Sequence, residues 1–130
     1  MKNKIVLITG STDGIGEQTA FKLAVMGANV IIHGRSETRV NNTIKELQKT
    51  GKRQFFGMAA DLSSLKEVRQ FAIDVKTKFN QLDVLINNAG VYMKERVLSE
   101  DGFEMTFAVN HLAHFLLTNE LLPLLQTSKE

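Results

Sequence analysis

Three glycines stand close together near the start of the chain, in the stretch Thr9-Gly10-Ser11-Thr12-Asp13-Gly14-Ile15-Gly16. They follow an apolar, β-branched run of strand length and precede a helical pattern, which is typical of a strand that leads into a phosphate-binding turn. The three glycines let the backbone turn sharply, approach a phosphate and pack the helix closely on its strand. The helix N terminus then supplies N–H groups and the positive end of a dipole, so the loop predicts anion binding. Any tight strand-to-helix turn also favours glycine, and for the loop alone that alternative stays open.

A basic residue follows the second predicted strand, where dinucleotide-binding folds commonly carry an acid. That acid lies about 20 residues past the glycines and holds the ribose 2′-hydroxyl of NAD. Here Gly34 occupies about that place and Arg35 follows it. A carboxylate would repel a 2′-phosphate, whereas a guanidinium can bind one bidentately. The pair therefore favours NADP over NAD as the cofactor, the alternative being that Arg35 is an ordinary solvated charge.

Alternating strands and helices must position these residues. The predicted strands lie at 4–8, 29–33, 54–59 and 83–86. The predicted helices run from 14 to 26, from a cap at Ser36 to before Gly51, from a cap at Ser63 or Ser64 to Phe79, and from Glu100 to about Leu125. Pro123 either kinks the last helix or ends it. Crossovers of this length require parallel pairing, so we expect a single α/β domain over 1–130. Its core would be a doubly wound parallel sheet, the Rossmann fold, of strand order 3-2-1-4, truncated after the helix that follows strand 4.

Five features then stand in one order along the chain. They are Thr9-Gly10…Gly14-Ile15-Gly16, Arg35, Asp61-Leu62 after the third strand, Asn87-Asn88-Ala89-Gly90 after the fourth, and Asn110 in the last helix. Together they resemble the N-terminal, cofactor-binding part of a short-chain dehydrogenase/reductase, and the resemblance covers nearly the whole chain. The segment from Asn110 to Thr118 is most similar to the retinol-dehydrogenase-like branch of that family.

The resemblance implies a role for each of these later features. Asp61 would accept a hydrogen bond from the adenine amino group and Leu62 would cover the ring, although Asp61 also fits a capping or turn carboxylate. Asn88, Ala89 and Gly90 would tie neighbouring strands together and leave room for the cofactor. Asn110 would be the asparagine of the catalytic tetrad, which holds a water in a proton relay. The alternative is that Asn110 is a polar residue within an apolar helix whose side chain is hydrogen-bonded in the core.

The rest of the family's catalytic set is not matched in this chain. The family uses a serine, a tyrosine and a lysine four residues beyond the tyrosine, and these normally lie after the point where this chain stops. The single tyrosine is Tyr92, and the residue four beyond it is Arg96. We therefore carry no catalytic role onto Tyr92, and we expect the chain to be the N-terminal half of a longer one and to be inactive alone.

Composition narrows the class of partner. The chain has 130 residues, 43% of them hydrophobic, with 16 basic and 14 acidic side chains and a net charge of +2. This balance argues against a nucleic-acid partner. The apolar run near the N terminus is too short for a signal peptide or a membrane span, so we expect no membrane association. There is no cysteine, which is compatible with the cytoplasm, and the three histidines lack ligand spacing, which argues against a metal.

Apolar faces complete the sequence-based expectations. In the first helix Ile15, Thr19, Ala20, Leu23 and Ala24 share one face, which we expect to be buried. A second apolar face surrounds Leu112, Leu116 and Leu121 in the last helix, and the strand at 84–86 lies at an uncovered sheet edge. The resemblance implies a dimer interface at this last helix, so we expect a homo-oligomer that pairs through it.

The function expected from the sequence is hydride transfer between NADP(H) and a small carbonyl or alcohol substrate, with this chain as the cofactor-binding part. The alternative is a non-catalytic dinucleotide-binding module or sensor.

Overall fold

The computed structural model describes residues 1–51 and 54–128. Its strands are β1 (Ile5–Ile8), β2 (Asn29–Gly34), β3 (Phe55–Ala59) and β4 (Val84–Ile86). They form one four-stranded sheet of order β3-β2-β1-β4 in which every pairing is parallel. The helices are α1 (Gly14–Val25), α2 (Glu37–Gln48), α3 (Leu65–Lys78), α4 (Met105–Phe107) and α5 (Ala113–Gln126), with a π-helical segment at Ala108–Leu112 between the last two. The doubly wound α/β fold and the strand order predicted from the sequence are confirmed.

The central strand β1 is apolar on both faces because helices cover both sides of the sheet. Val6 and Ile8 pack into one core cluster with residues of α1 and α2, whereas Leu7 packs into a second cluster with residues of α3 and α5. All three side chains are fully buried. This two-sided burial explains why the strand reads as a continuous apolar run rather than as an alternating one.

The helices after β2 and β3 begin at serine caps. The Ser36 hydroxyl accepts a hydrogen bond from the Arg39 N–H, and the Ser64 hydroxyl accepts one from the Glu67 N–H. Each cap satisfies an N–H group that has no partner within its helix. The sequence left Ser63 or Ser64 open as the cap of α3, and the structure assigns it to Ser64.

The expected buried face of α1 is only partly correct. Gly16, Ala20 and Ala24 are buried, whereas Ile15 is 80% exposed. Ile15 is the second residue of the helix, and the tight packing of its neighbour Gly16 against the loop turns the Ile15 side chain away from the sheet. Its apolar side chain is therefore available to a ligand rather than to the core.

The helical region predicted at the end of the chain, which comprises α4, the π-helical segment and α5, begins at Met105 rather than at Glu100. The segment before it pairs with itself, through an antiparallel bridge between Leu98 and Glu104. Glu104 then caps the helix, since its carboxylate accepts hydrogen bonds from the N–H groups of Thr106 and Phe107. Pro123 lies inside α5, which continues to Gln126, so the proline does not end the helix.

Helix α5 packs against α3, which accounts for part of its apolar surface. Leu117 and Leu121 are fully buried in the core cluster shared with α3, and Lys76 of α3 forms an ion pair with Glu120 at 3.0 Å. The expectation that Leu121 lies on an uncovered face is therefore wrong. The exposed side of the same helix carries Phe115, which is 64% exposed. Within the described ranges, the helices fall short of the length and apolar content needed to cross a membrane.

Candidate dinucleotide site

A cavity of about 830 Å³ opens at the carboxyl ends of the strands. It lies where the chain path reverses direction across the sheet, since β2 and β3 extend to one side of β1 and β4 pairs with the other. Parallel α/β sheets bind ligands at such a switch point. All but two of the residues predicted for the site line the cavity: Gly10, Thr12, Gly14, Ile15, Gly16, Arg35, Asp61, Leu62, Asn88, Ala89 and Gly90. The two exceptions are Ser11 and Asn110.

The glycine loop has the geometry that its sequence requires. Gly10 has a φ of +63°, and a Cβ placed there would lie 2.8 Å from the Ala89 Cα. A Cβ at Gly16 would collide with the Gly10 carbonyl and the Asn88 amide. Gly14 also has a positive φ, +54°, but a Cβ there would meet nothing within 4 Å. The first and third glycines are therefore needed for packing, whereas the second keeps open space beside the backbone, as a bound phosphate requires.

Asn88 and Thr9 fix the loop to the end of β4. The Asn88 side-chain amide donates to the carbonyls of Thr9 and Gly10 at 2.9 and 3.0 Å. In return, the Thr9 hydroxyl accepts hydrogen bonds from the N–H groups of Asn88 and Ala89, both at 3.0 Å. Because these four bonds join segments far apart in sequence, they hold the loop in one conformation before any ligand binds.

The N terminus of α1 presents the anion-binding groups. Asp13 is the N-cap, and its carboxylate accepts from the Gly14 N–H at 2.7 Å. The next N–H groups of the first turn, those of Ile15 and Gly16, are the ones that an anion can reach. Asp13 also forms an ion pair with Arg39 of α2, with 2.9 Å between the Oδ2 and Nη2 atoms. The hydrogen bond from Arg39, followed by that from Gly14, lowers the pKa of the Asp13 carboxyl.

Ser11, in contrast, faces the interior. Its side chain is fully buried, donates to the Ile8 carbonyl at 2.8 Å and accepts from the His33 N–H at 3.0 Å. These bonds occupy the hydroxyl within the loop. The Ser11 side chain therefore stabilises the glycine loop and does not line the cavity.

His33 closes the floor of the cavity, between the glycine loop and β3. Its Nδ1 atom accepts from the Gly10 N–H at 3.1 Å, and its Nε2 atom lies 3.1 Å from the Ala60 carbonyl. Since Nδ1 is an acceptor, Nε2 carries the proton and donates to Ala60. The ring stacks on Phe71 with 4.7 Å between centroids. Burial lowers the pKa of His33 to about 4, so the neutral imidazole is the form that holds Gly10 in place.

The residues expected at the adenosine end follow strands β2 and β3. The Asp61 carboxylate accepts from the Ser63 N–H at 2.9 Å, which is the turn role weighed for it from the sequence, and it still borders the cavity. Leu62 is buried beside it. Arg35 is exposed at the end of β2, and it forms no ion pair within residues 1–51 and 54–128.

Asn110 lies in the π-helical segment and binds the backbone of a neighbouring loop. Its Oδ1 atom accepts from the Val91 N–H at 2.8 Å, and its Nδ2 atom donates to the Val91 carbonyl at 2.9 Å. Both ends of the amide are thus occupied, and the side chain acts here as a clamp on the segment after β4. Tyr92, next in the chain, is 84% exposed and does not border the cavity.

Three titratable residues that line the cavity were not predicted as site residues. Asp13 and Arg39 border the cavity as an ion pair, and His33 forms part of its floor. Asp13 carried a local signal, because aspartate is a preferred N-cap directly before a helix. His33 carried a weaker one, as the penultimate residue of a buried strand whose end meets the glycine loop.

The parallel sheet, the glycine loop and the cavity at the switch point define a dinucleotide-binding fold. Comparison with protein families makes the class specific, since residues 4–130 match the family described as short chain dehydrogenase. The chain belongs to this family of oxidoreductases.

Two curated relatives and two solved structures illustrate the similarity. Retinol dehydrogenase 13 of Homo sapiens is 44% identical over 126 residues, which are 96% of this chain and 38% of that protein. Polyprenol dehydrogenase of Homo sapiens is 44% identical over 129 residues, which are 97% of this chain and 38% of that protein. The RhlG/NADP complex of Pseudomonas aeruginosa has a TM-score of 0.84 at 30% identity, covering 100% of this chain and 51% of that one. A metagenomic short-chain oxidoreductase in complex with NADP has a TM-score of 0.82 at 28% identity, covering 95% of this chain and 57% of that one. The chain thus spans about four tenths of the length of these curated relatives.

Proposed function

We propose that this chain is the cofactor-binding part of an oxidoreductase that transfers a hydride between NADP(H) and a carbonyl or alcohol substrate. The observation that carries the cofactor choice is the end of β2, where Gly34 and Arg35 border the cavity and no acid stands beside them in the chain. The two solved relatives described above are complexes with NADP, which supports the same choice.

The groups that would hold the cofactor follow from the geometry of the cavity. The N terminus of α1 and the open space beside Gly14 suit the pyrophosphate, and Arg35 suits a 2′-phosphate. Asp61 and Leu62 border the space left for the adenine. The nicotinamide, when bound, supplies or accepts the hydride. The residues of this chain bind and orient the dinucleotide.

The cofactor proposal is tested by titrating the purified chain with NADPH and NADH. A charge-assisted hydrogen bond contributes about 1.5 to 3 kcal/mol, so Arg35 should make NADPH bind roughly 10 to 150 times more tightly. Arg35→Ala should weaken this preference. Arg69→Ala is the matched control, because Arg69 is an exposed arginine of α3 that does not border the cavity. Equal affinities in the wild type, or an undiminished preference in Arg35→Ala, would refute the choice of NADP.

We further propose that the chain binds the cofactor but does not by itself turn over substrate. Reduction of a carbonyl needs a positioned proton donor, which contributes about 10²- to 10⁴-fold to such a step. Tyr92 is directed to solvent away from the cavity, and both ends of the Asn110 amide are bound to Val91. These observations favour a second candidate function, a dinucleotide-binding module that acts without catalysis.

A comparison of turnover separates the two functions. The chain and a version extended to its natural stop codon are each incubated with NADPH and a panel of ketones and aldehydes while the cofactor absorbance is followed. Turnover by the extended version alone supports the oxidoreductase, and no turnover by either supports the binding module. Comparable turnover by both would mean that the proton donor is already in this chain, and Tyr92→Phe would then identify or exclude the phenol.

We also propose that the protein forms a homo-oligomer through its last helix, and that it resides in the cytoplasm. Phe107, Phe115 and Leu122 place exposed apolar surface along that helix, and β4 pairs on one side only within the described sheet. Sedimentation velocity and cell fractionation test the two statements.

A further inference from the structure

Asp13 and Arg39 form an ion pair in the lining of the cavity. Arg39 is the third residue of α2 and lies four residues after Arg35, and both arginines border the cavity. The Arg39 and Asp13 side chains are 57% and 79% exposed, although they form an ion pair. An exposed pair of this kind contributes little to stability, so its place in the cavity lining has another explanation.

The approach of two chain segments brings this pair to the same place as Arg35. A Cβ on Gly34, at the end of β2, would lie 2.8 Å from the Thr12 hydroxyl, so the strand end and the glycine loop are in direct contact. Asp13 follows Thr12 on the loop, and Arg35 follows Gly34 on the strand. A phosphate bound by Arg35 would therefore lie near the loop that carries Asp13, and the Asp13 carboxylate would repel it.

Arg39 can remove this repulsion and bind the phosphate at the same time. A guanidinium has five N–H donors in a planar fork. One Nη2 contact is made to Asp13, which leaves donors for a second anion. Among the residues that the structure describes, four charged side chains border the cavity, namely Asp13, Arg35, Arg39 and Asp61, and their formal charges sum to zero. Without Arg39 the sum would be negative around a ligand that is itself an anion.

We propose that Arg39 is a second specificity residue for NADP(H), and that its guanidinium bridges the Asp13 carboxylate and the 2′-phosphate. The inference rests on the proposed use of NADP and deepens it, because it assigns a role to an ion pair that sequence reasoning did not find. Asp13 orients the guanidinium, and Arg39 adds to Arg35 a second contact that distinguishes a phosphorylated ribose from a free one.

The test uses two small probes that share the adenosine and differ in the 2′-phosphate, 2′,5′-ADP and 5′-AMP. Calorimetric titration of the whole chain should show Arg39→Ala losing about tenfold or more in affinity for 2′,5′-ADP, the size of one charge-assisted contact, and less than about twofold for 5′-AMP. Asp13→Asn keeps a good N-cap and should bind 2′,5′-ADP as tightly as the wild type or more tightly. Arg69→Ala is again the matched control for the loss of one positive charge.

The double variant decides between bridging and simple neutralisation. If Arg39 contacts the phosphate, adding Arg39→Ala to Asp13→Asn should still weaken 2′,5′-ADP binding by about fivefold or more. If Arg39 only neutralises Asp13, the double variant should bind as Asp13→Asn does, and the proposal is overturned. If Arg35→Ala loses the wild-type affinity for 2′,5′-ADP but Arg39→Ala keeps it, the role of Arg39 is also overturned. The proposed use of NADP then still stands. A wild type that binds both probes equally instead refutes the proposed use of NADP itself.

Discussion

Protonation of His33 should destabilise the fold, because the buried ring is neutral and both of its nitrogens are already in use. The pKa of this imidazole falls from 6.5 to about 4 on folding, owing first to burial. Between these two values an unfolded chain takes up a proton that the folded chain does not. The stability that His33 confers is therefore complete above about pH 6.5 and is progressively lost as the pH falls towards 4.

The size of the loss follows from the two pKa values. One pKa unit corresponds to about 1.4 kcal/mol. A difference of 2.5 units therefore lowers the free energy of unfolding by about 3 kcal/mol once the imidazole is protonated in both the unfolded and the folded chain. At pH 5 the unfolded imidazole is almost fully charged and the folded one is still almost neutral, so the expected loss is about 2 kcal/mol. This is a large fraction of the total stability of a domain of this size, about 5 to 15 kcal/mol.

Urea unfolding at pH 7, 6 and 5 measures this effect, with His33→Asn as the comparison. Asparagine keeps an acceptor for the Gly10 N–H but does not titrate, so the pH dependence should be smaller by about 2 kcal/mol at pH 5. His114→Gln is the control. Burial also lowers the pKa of His114, so this histidine contributes to the loss of stability at low pH in the same direction as His33. The difference between wild type and His33→Asn isolates His33 from that background.

The reasoning would be refuted by parallel stability curves. If wild type and His33→Asn lost the same free energy of unfolding between pH 7 and 5, His33 would not be the neutral, doubly bonded ring described above. The bond from Gly10 to its Nδ1 atom would then have to be abandoned as the support of the glycine loop.

Three other substitutions have expected outcomes. Gly16→Ala should reduce the free energy of unfolding by about 1 to 3 kcal/mol, because the methyl group collides with the Gly10 carbonyl and the Asn88 amide; an unchanged urea midpoint would contradict this. Gly14→Ala should cost only about 1 to 2 kcal/mol of backbone strain, since its Cβ meets nothing, but should weaken NADPH binding as measured by titration; unaltered affinity would argue against phosphate binding at that loop. Phe115→Lys should shift the sedimentation coefficient towards that of a monomer, because Phe115 is the most exposed phenylalanine of the last helix; a wild type that is already monomeric at high concentration would dismiss the interface.

The sheet could be predicted from the sequence because its signals are local and repeated. Each apolar run of strand length is followed by a glycine or a polar residue, and a cap such as Ser36 then starts the next helix. Strand ends and helix starts predicted in this way agree with the structure to within one or two residues for most elements. The position of the cavity follows from the topology, since parallel strands bring their carboxyl ends to one edge.

The features that the sequence did not predict depend on contacts of two other kinds. These are contacts between residues distant in sequence and unusual local pairing. Ile15 fits a helical face by periodicity, but the packing of Gly16 on the loop directs it to solvent. The late start of the last helix depends on the bridge from Leu98 to Glu104, which periodicity does not reveal. The ion pair between Asp13 and Arg39 spans 26 positions, and no pattern in either segment indicates it.

The bonds that hold Thr9 and Gly10 to Asn88 join residues 79 and 78 positions apart. The glycine motif is among the first segments to leave the ribosome, yet its shape depends on a strand that emerges much later. Because distant contacts form slowly relative to local ones, we expect the glycine loop to be fixed only after β4 has paired with β1. During synthesis, a nascent chain that ends before β4 would carry the whole motif and still lack the rigid loop. A ligand that binds at this loop is therefore expected to report on the pairing of β4 with β1.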